Sequence, residues 1–300
     1  MRKAMPGTRL LATVALAVTT TGFAATPSFT AGALPPIDGA TRLLVVSPHP
    51  DDETLCCAGA MQRVREAGGS VSVVWITSGD GSRLSMLMVE HSLLAPAAKV
   101  RELASKRMSE ARAAAGLLGV PAGRQLFLGY PDGVIGKLLV DAGATLQPAG
   151  FTGITRVPYP EALFPGHPYT GASLERDFDA VLERVQPSLV LAPSPRDSHP
   201  DHSACGALVI RALTRRGTLA RARFWIVHGG EGWPQPRGYL PAIPLAPPAG
   251  AAGKELAALE LTELEEAAKL RAVRAYQTQM QIMSPFLLAF VRTNELYGPP

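Results

Sequence analysis

Apolar and polar positions follow one another along the chain in blocks that predict strands followed by helices. Short, β-branched apolar runs predict strands at 41–47, 70–77, 125–128, 188–192 and 223–227. Longer stretches with helical spacing predict helices at 55–67, 100–118, 172–185, 203–215 and 254–281. Strands that alternate with helices of this length are typical of a parallel sheet covered on both faces. We therefore predict one α/β domain with a doubly wound, mostly parallel sheet.

Three stretches between these blocks lack clear periodicity and predict loops: 78–98, 138–171 and 229–253. The second is expected to run across one edge of the sheet. Because loops on a rigid scaffold commonly carry recognition, we expect substrate specificity to lie in these three segments, whose residues show no readable code.

The first residues resemble a secretory signal. Arg2 and Lys3 precede an apolar run at 10–18, and the small residues Gly22 and Ala24 follow on either side of Phe23. The run is short for a bilayer span. We predict a cleaved signal peptide at 1–24, a linker at 25–40 and the folded domain at 41–300, with an uncleaved anchor as the alternative. The expected location is secreted or periplasmic, and no later stretch is a transmembrane candidate.

Charge and cysteine content exclude two further classes. The formal net charge is +4, but Arg2, Lys3 and Arg9 account for most of it, so we predict no nucleic-acid partner. Only three cysteines are present, two of them adjacent, which is not a disulfide framework. The core must therefore supply the stability.

Two clusters of histidines and carboxylates follow the first and fourth predicted strands. PHPDDE occupies 48–53, and DSHPDH occupies 197–202. Since the carboxyl ends of parallel strands meet at one edge of the sheet, the clusters are expected to lie together. His49 and Asp52 stand three residues apart, so one turn entering a helix can direct both at a point that His202 reaches from the neighbouring loop.

Two imidazoles and one carboxylate suit a divalent ion of the zinc type, with a remaining position for water. Such an ion acidifies water toward neutral pH, and hydrolysis is the natural reaction. Asp51, adjacent to the ligands, fits a general base. His199, if a carboxylate such as Asp201 holds it as imidazolium, fits the group that stabilises the oxyanion and protonates the leaving amine.

PHPDDE with a later HPDH resembles the paired signature of the LmbE-like, PIG-L family of zinc-dependent N-acetylglucosaminyl deacetylases. The resemblance covers most of the chain after the predicted signal peptide and implies a Rossmann-like sheet. It places the family's metal ligands on His49, Asp52 and His202. It likewise places the general base on Asp51 and the second catalytic histidine on His199.

Two further segments are similar to family motifs. RMSE at 107–110 resembles an Arg-x-x-Glu motif, and YPDG at 130–133 resembles a Pro-Asp-Gly loop. The resemblance implies that Arg107 and Asp132 contact sugar hydroxyls. His228 stands at the carboxyl end of the fifth predicted strand, where it is placed to line the pocket.

Several of these residues also have plainer interpretations. Glu53 is either a first-turn carboxylate that complements the helix dipole or a partner of a metal ligand. Asp201 either caps the following helix or orients a histidine. Arg107 is alternatively a solvated helix-face charge, and Asp132 alternatively serves only the turn.

The sequence as a whole predicts an exported, metal-dependent amidohydrolase that removes an N-acetyl or related N-acyl group from an amino sugar or glycoconjugate. The expected cofactor is Zn²⁺ or another divalent first-row ion. The expected partner is a small-molecule or glycan substrate. The alternatives are a metal-dependent amidase acting on a non-sugar or thiol conjugate and a non-catalytic metal-binding surface protein. Asp51 disfavours the last, since a simple binder needs no carboxylate beyond its ligands. The oligomeric state stays open.

Overall fold

The strands and helices alternate through most of the chain. The computed structural model describes Met1 and residues 33–81, 96–140, 146–149, 152–250 and 253–300. The strands are β1 (Arg42–Ser47), β2 (Ser70–Thr77), β3 (Gln125–Tyr130), β4 (Leu189–Pro193), β5 (Ala222–Trp225), β6 (Ala257–Glu260) and β7 (Asn294–Tyr297). The helices are α1 (Asp52–Glu66), α2 (Ala97–Leu117), α3 (Ile135–Val140), α4 (Gly171–Val185), α5 (Pro200–Arg215), α6 (Glu263–Ala275) and α7 (Gln277–Leu287).

The main sheet is parallel throughout and has the order β3-β2-β1-β4-β5. In its centre Val45 of β1 lies opposite Val73 of β2 and Leu191 of β4. These side chains are fully buried because parallel strands are covered on both faces, which explains their nearly continuous apolar sequences.

The helices form two groups, one on each face of the sheet. α6 contacts both α1 and α2, whereas α3, α4 and α5 contact one another. Buried residues from both groups and from the strands belong to one hydrophobic core. The predicted single α/β domain with a doubly wound sheet is therefore confirmed.

The strand order reverses between β1 and β4, because the chain proceeds from β1 to β2 on one side and reaches β4 on the other. The carboxyl ends of the two strands flank a crevice at this switch point, where open α/β sheets bind ligands. The two predicted clusters follow these two strands, so the topology brings them to the same place.

The predicted helix at 254–281 is wrong in its first part and is interrupted at Tyr276. Residues 257–260 form β6 instead, which pairs antiparallel with β7, and their alternating exposure shows the two-residue period of a strand. A capping box at Thr262 and Glu265 starts α6. The chain then bends at Tyr276, and α7 begins at Gln277.

The first three residues of the predicted loop at 138–171 are helical. They belong to α3, which the sequence pattern did not show and which ends at Val140. Farther along, the backbone N–H of Leu163 donates to the carbonyl of Phe127 at 2.7 Å. The segment thus covers the outer edge of β3, as expected.

The predicted signal peptide at 1–24 lies outside the described residues apart from Met1, and so does the first part of the linker at 25–40. Within the described part of the chain, no helix combines the length and the apolarity that a membrane span needs. Both predictions at the N-terminus stay predictions.

Candidate metal centre and active site

The turn after β1 carries His49, Asp51 and Asp52 into the crevice. Asp51 has a φ of 127°. Residues other than glycine rarely adopt such a backbone conformation, so the backbone at Asp51 is strained. The strain is held by neighbours: the Asp51 N–H donates to Glu53 Oε2 at 3.2 Å, and Arg107 donates to the carbonyl of Pro50 at 2.9 Å.

The loop after β4 presents the second cluster at the first turn of α5. His199 is the N-cap residue, and Pro200 stands in the first turn, where its missing N–H costs no hydrogen bond. The Asp201 N–H donates to His199 Nδ1 at 3.3 Å. His202, fully buried, then points from α5 toward the end of β1.

Three side-chain atoms meet at nearly equal distances between the two clusters. His49 Nδ1 lies 3.2 Å from Asp52 Oδ2 and 3.2 Å from His202 Nε2, and these last two atoms are also 3.2 Å apart. Ligand atoms about 2.0–2.1 Å from a tetrahedral zinc ion stand roughly 3.3–3.4 Å from one another. The chemistry and the spacing of the three atoms therefore fit a divalent ion.

Two overlapping groups of described residues bring possible ligand atoms within 4.8 Å of one another: His49 with His199 and His202, and His49 with Asp132 and Asp201. A neutral imidazole offers one nitrogen lone pair, so His49 serves one ion at a time. Its Nδ1 faces both Asp52 and His202. We therefore take His49, Asp52 and His202 as the candidate metal centre.

The electrostatics of this centre favour positive charge. Burial alone would lower the pKa of His49, but Asp132, Asp201 and Asp52 raise it well above its ordinary value. Burial also opposes the raised pKa of His202, which Asp52 and Asp197 bring to about 9. Carboxylates that stabilise a proton on these rings also favour a divalent cation between them.

Behind His49 stand the two carboxylates of Asp132 and Asp201. His49 Nε2 lies 3.2 Å from Asp132 Oδ1 and 3.4 Å from Asp201 Oδ2, although neither contact has hydrogen-bond geometry and no other described residue gives this nitrogen a partner. A histidine that binds a metal through one nitrogen usually presents its other N–H to such a carboxylate. Both acids are therefore placed to orient His49.

The position of Asp201 differs from one expectation. Its carboxylate accepts the N–H groups of Gly133 at 2.6 Å and Ile135 at 3.1 Å, and it is the backbone of Asp201 that contacts His199. Burial, followed by the neighbouring His49 and His202, lowers the pKa of His199. Because Nδ1 accepts the Asp201 N–H, the neutral form of the ring carries its proton on Nε2.

Asp197 is a site residue that we did not predict. It is buried, its Oδ2 lies 3.2 Å from His202 Nδ1, and the same oxygen accepts the N–H groups of Val227 and His228. It fixes the ring of His202 much as Asp132 and Asp201 flank His49. The signal available in the sequence was only a carboxylate five residues before a candidate ligand.

Asp197→Asn is expected to weaken zinc binding about 10- to 100-fold, the usual effect of losing a carboxylate behind a metal-bound histidine. Competition with a chromogenic chelator measures the affinity. Glu255→Gln, which removes an exposed carboxylate paired with Arg196, serves as the control. Equal affinities of Asp197→Asn and the unsubstituted protein would contradict the assignment.

Asp51 lies beside the three candidate ligands, and Arg107 reaches it from α2. The Arg107 guanidinium is 3.5 Å from Asp51 Oδ2 and also donates to the carbonyl of Gly79 at 2.8 Å. Burial and Asp52 raise the pKa of Asp51 to about 8, although Arg107 and His49 oppose the rise. Arg107 is 3% exposed, so the interpretation as a solvated charge is wrong.

Among the described residues, Glu53 makes no hydrogen bond to the side chain of a candidate ligand, contrary to one of its two interpretations. Its carboxylate accepts the indole N–H of Trp75 at 2.9 Å, the Asp51 N–H and the hydroxyl of Tyr276. Glu53 thus joins the turn after β1 to β2 and to the residue that precedes α7.

A cavity of about 380 Å³ opens above the metal centre. Its walls include all the predicted site residues except Glu53, Asp201 and His202. His228 lines it as predicted and lies 5.0 Å from His199 between ring centroids. The lining residues that sequence analysis missed are Leu55, Gly81, Gly133, Pro200, Val227, Gln279, Met283, Phe286 and Leu287.

Four of these missed residues lie on α7, which two contacts hold against the site. Tyr276 donates to Glu53, and Thr278 bonds to Glu110 through its N–H at 2.9 Å and its hydroxyl at 2.6 Å. Arg107 and Glu110 stand three residues apart on α2, so one face of that helix supports both the turn at Asp51 and the start of α7.

Comparison with known proteins places these motifs in context. The sequence model of the PIG-L family, described as GlcNAc-PI de-N-acetylase, matches residues 44–213.

The curated relatives include 1D-myo-inositol 2-acetamido-2-deoxy-alpha-D-glucopyranoside deacetylases. The one from Rhodococcus erythropolis is 28% identical over 67% of this chain and 60% of the relative. The one from Kribbella flavida is 30% identical over 67% of this chain and 62% of the relative. The chain thus spans about three-fifths of the length of these two relatives.

Solved structures share the fold. A deacetylase of the A40926 pseudoaglycone matches with a TM-score of 0.57 at 19% identity, covering 86% of this chain and 96% of the other. The N,N'-diacetylchitobiose deacetylase from Pyrococcus horikoshii matches with a TM-score of 0.52 at 22% identity, covering 86% and 83%. These similarities bear on the architecture alone.

Proposed function

Because the chain belongs to the PIG-L family, whose sequence model matches more than half of it, we propose that the protein is a metal-dependent N-deacetylase. It hydrolyses the N-acetyl or a related N-acyl group of an amino sugar or glycoconjugate. The observation that carries this proposal is the triangle of His49, Asp52 and His202 with Asp51 beside it, at the base of an open cavity.

Zinc is the proposed cofactor, and the two imidazoles and one carboxylate suit other divalent first-row ions as well. When bound, such an ion supplies a Lewis acid that polarises the amide carbonyl and acidifies water near neutral pH. His49, Asp52 and His202 would hold it, while Asp132, Asp201 and Asp197 orient the two histidine rings.

The remaining chemistry belongs to Asp51 and His199. Asp51 accepts the proton of the attacking water, and Arg107 holds its carboxylate in place at 3.5 Å. His199 presents Nε2–H to the cavity because its Nδ1 accepts a backbone N–H. This N–H stabilises the oxyanion. Asp51 passes the proton that it accepted from water to the His199 ring, and the ring donates a proton to the leaving amine, so that both groups return to their starting state.

The substrate class is supported by the names of the curated relatives, which are deacetylases of an acetamido sugar joined to inositol. We propose that Asp132, which faces the cavity, contacts the sugar hydroxyls, and that the guanidinium of Arg107 adjoins them. His228 closes the opposite side. A non-sugar amide stays the alternative that the assay below separates.

Purified protein is expected to release acetate and free amine from N-acetylated amino sugars, and a chelator should abolish the release. A panel containing N-acetylglucosamine, N,N'-diacetylchitobiose and a non-sugar acetamide tests both the reaction and the substrate class. Recovery after added Zn²⁺ is the control for chelator damage. Activity that persists in the metal-free protein would overturn the metal dependence, and hydrolysis confined to the non-sugar amide would overturn the sugar assignment.

We also propose that the protein is exported, on the strength of the basic and then apolar pattern at 1–24. Mass spectrometry of the N-terminus of the extracytoplasmic protein would show removal of these residues. An intact N-terminus in the cytoplasmic fraction would contradict export.

A further inference from the structure

The cavity above the metal centre is the middle of a longer groove. At one end it shares Gly81, Asp132 and Gly133 with a cavity of about 360 Å³ that also includes Lys137 and Gln147. At the other end it shares residues with a cavity of about 470 Å³, which we call the apolar arm. The apolar arm is lined by His228, Arg237, Met283, Pro285 and Phe286.

The two ends differ in chemistry. The first offers a carboxylate, an ammonium and an amide, which are groups that hydrogen-bond to sugar hydroxyls. The apolar arm is built around Phe286, on which the ring of His228 stacks at 5.6 Å and over which the Arg237 guanidinium lies at 4.7 Å. Met283 and Pro285 extend this apolar surface along α7.

The wall between the metal centre and the apolar arm is apolar as well. Leu55, Val227 and Leu287 line the middle cavity together with Met283 and Phe286, which it shares with the apolar arm. Of the five described residues that line the arm, His228 and Arg237 carry polar groups, and the Arg237 guanidinium lies over the ring of Phe286. Met283 and Phe286 therefore carry an apolar surface from the middle cavity into the arm.

The order of the side chains around the metal centre bears on which half of an amide follows this surface. Asp132 Oδ1 lies 3.2 Å from His49 Nε2, the His199 ring lies 4.9 Å from the His49 ring, and the His228 ring lies 5.0 Å from the His199 ring. In the proposed function Asp132 contacts the sugar hydroxyls. With the sugar at that end, the other substituent of the carbonyl carbon, the acyl chain, lies on the side of His228, Met283 and Phe286.

We propose that the apolar arm is an acyl-chain subsite, so that the preferred substrates are amino sugars with an N-acyl group several carbons longer than acetyl. This inference rests on the proposed function and specifies its acyl group. An acetyl methyl is about the size of a water molecule, whose share of volume is roughly 30 Å³. The apolar arm is an open depression of about 470 Å³, and a group of that size leaves its apolar surface exposed to water.

The expected preference follows from the hydrophobic effect. Each methylene wholly removed from water contributes roughly a fourfold gain in affinity. Octanoyl has six more carbons than acetyl, and the groove is open to solvent on one side, so only part of that gain is realised. We expect kcat/KM for N-octanoylglucosamine to exceed that for N-acetylglucosamine by about tenfold or more.

The test compares the two substrates on the metal-loaded full chain by release of the same product, glucosamine. Met283→Gln keeps the side-chain length but makes the arm polar, and Phe286→Ala removes its floor. Both should lower the octanoyl-to-acetyl ratio of kcat/KM by about fivefold or more. Leu240→Ala, which changes an apolar residue 40% exposed and outside the arm, should leave it unchanged. Because each ratio is taken on one protein sample, partial unfolding of a variant cancels.

The outcomes separate the two proposals. Hydrolysis of N-acetylglucosamine with an octanoyl-to-acetyl ratio near or below one would overturn the acyl-chain subsite alone. A ratio above ten that neither Met283→Gln nor Phe286→Ala lowers would also overturn it, since the chain would then lie elsewhere. Failure to hydrolyse either substrate would overturn the proposed function and this inference together.

Discussion

Asp51→Asn is expected to lower kcat by at least about a hundredfold, the usual contribution of a positioned general base, while the bound metal stays in place. Asn keeps the size of the side chain and cannot take up the proton of water. The variant also removes the negative charge of Asp51, which its burial and the neighbouring Asp52 make unfavourable. The free energy of unfolding should therefore stay the same or rise. Steady-state kinetics with elemental analysis of the same sample measures both quantities.

Two results would change the role of Asp51. Loss of metal in parallel with activity would make Asp51 a ligand. Near-normal turnover with full metal content would remove it from the chemistry. Thermal unfolding of the variant provides the control, since a collapse of the strained turn would lower the midpoint temperature and a missing base would not.

His199→Ala is the second large effect, with kcat/KM expected to fall about 10²- to 10³-fold, as when one oxyanion donor is deleted. His199 is the N-cap residue of α5 and is not one of the three candidate ligands, so the metal content of the variant should not change. Kinetics on metal-loaded protein measures the loss. A fall of less than about threefold would assign His199 a structural role.

His199→Gln is the matched variant. Its amide can present an N–H toward the cavity but cannot give up a proton to the leaving amine. Recovery of most of the activity in His199→Gln would show that His199 acts as a hydrogen-bond donor alone. Activity as low as in His199→Ala would show that proton donation is required.

The sequence predicts the part of the site that depends on local spacing and sheet topology. His49 and Asp52 lie three residues apart at a strand end, and His202 follows a strand that parallel pairing brings alongside. A β-branched apolar run marks each strand directly, because both faces of a parallel strand are buried. The meeting of the two clusters therefore requires no knowledge of distant contacts.

What the sequence did not predict depends on contacts between distant segments. The guanidinium of Arg107 is an ordinary helix charge until the carbonyls of Pro50 and Gly79 are placed around it. β6 gives way to α6 within a stretch rich in helix formers, and the buried pair of Lys269 and Glu295, 2.9 Å apart, ties that segment to β7. Nothing in the sequence around Lys269 or Glu295 indicates that these charged side chains are buried.

The wall formed by α7 has a consequence for altering the protein by design. The match to the family's sequence model ends at residue 213 and contains every residue to which we assign a chemical step, whereas His228, Met283 and Phe286 all lie beyond it. Tyr276 and Thr278 fasten this later segment at one point, and the side chains that follow bear no catalytic duty. Exchange of residues 277–287 for the corresponding segment of a relative therefore offers a compact route to altered selectivity that leaves the proposed catalytic residues in place.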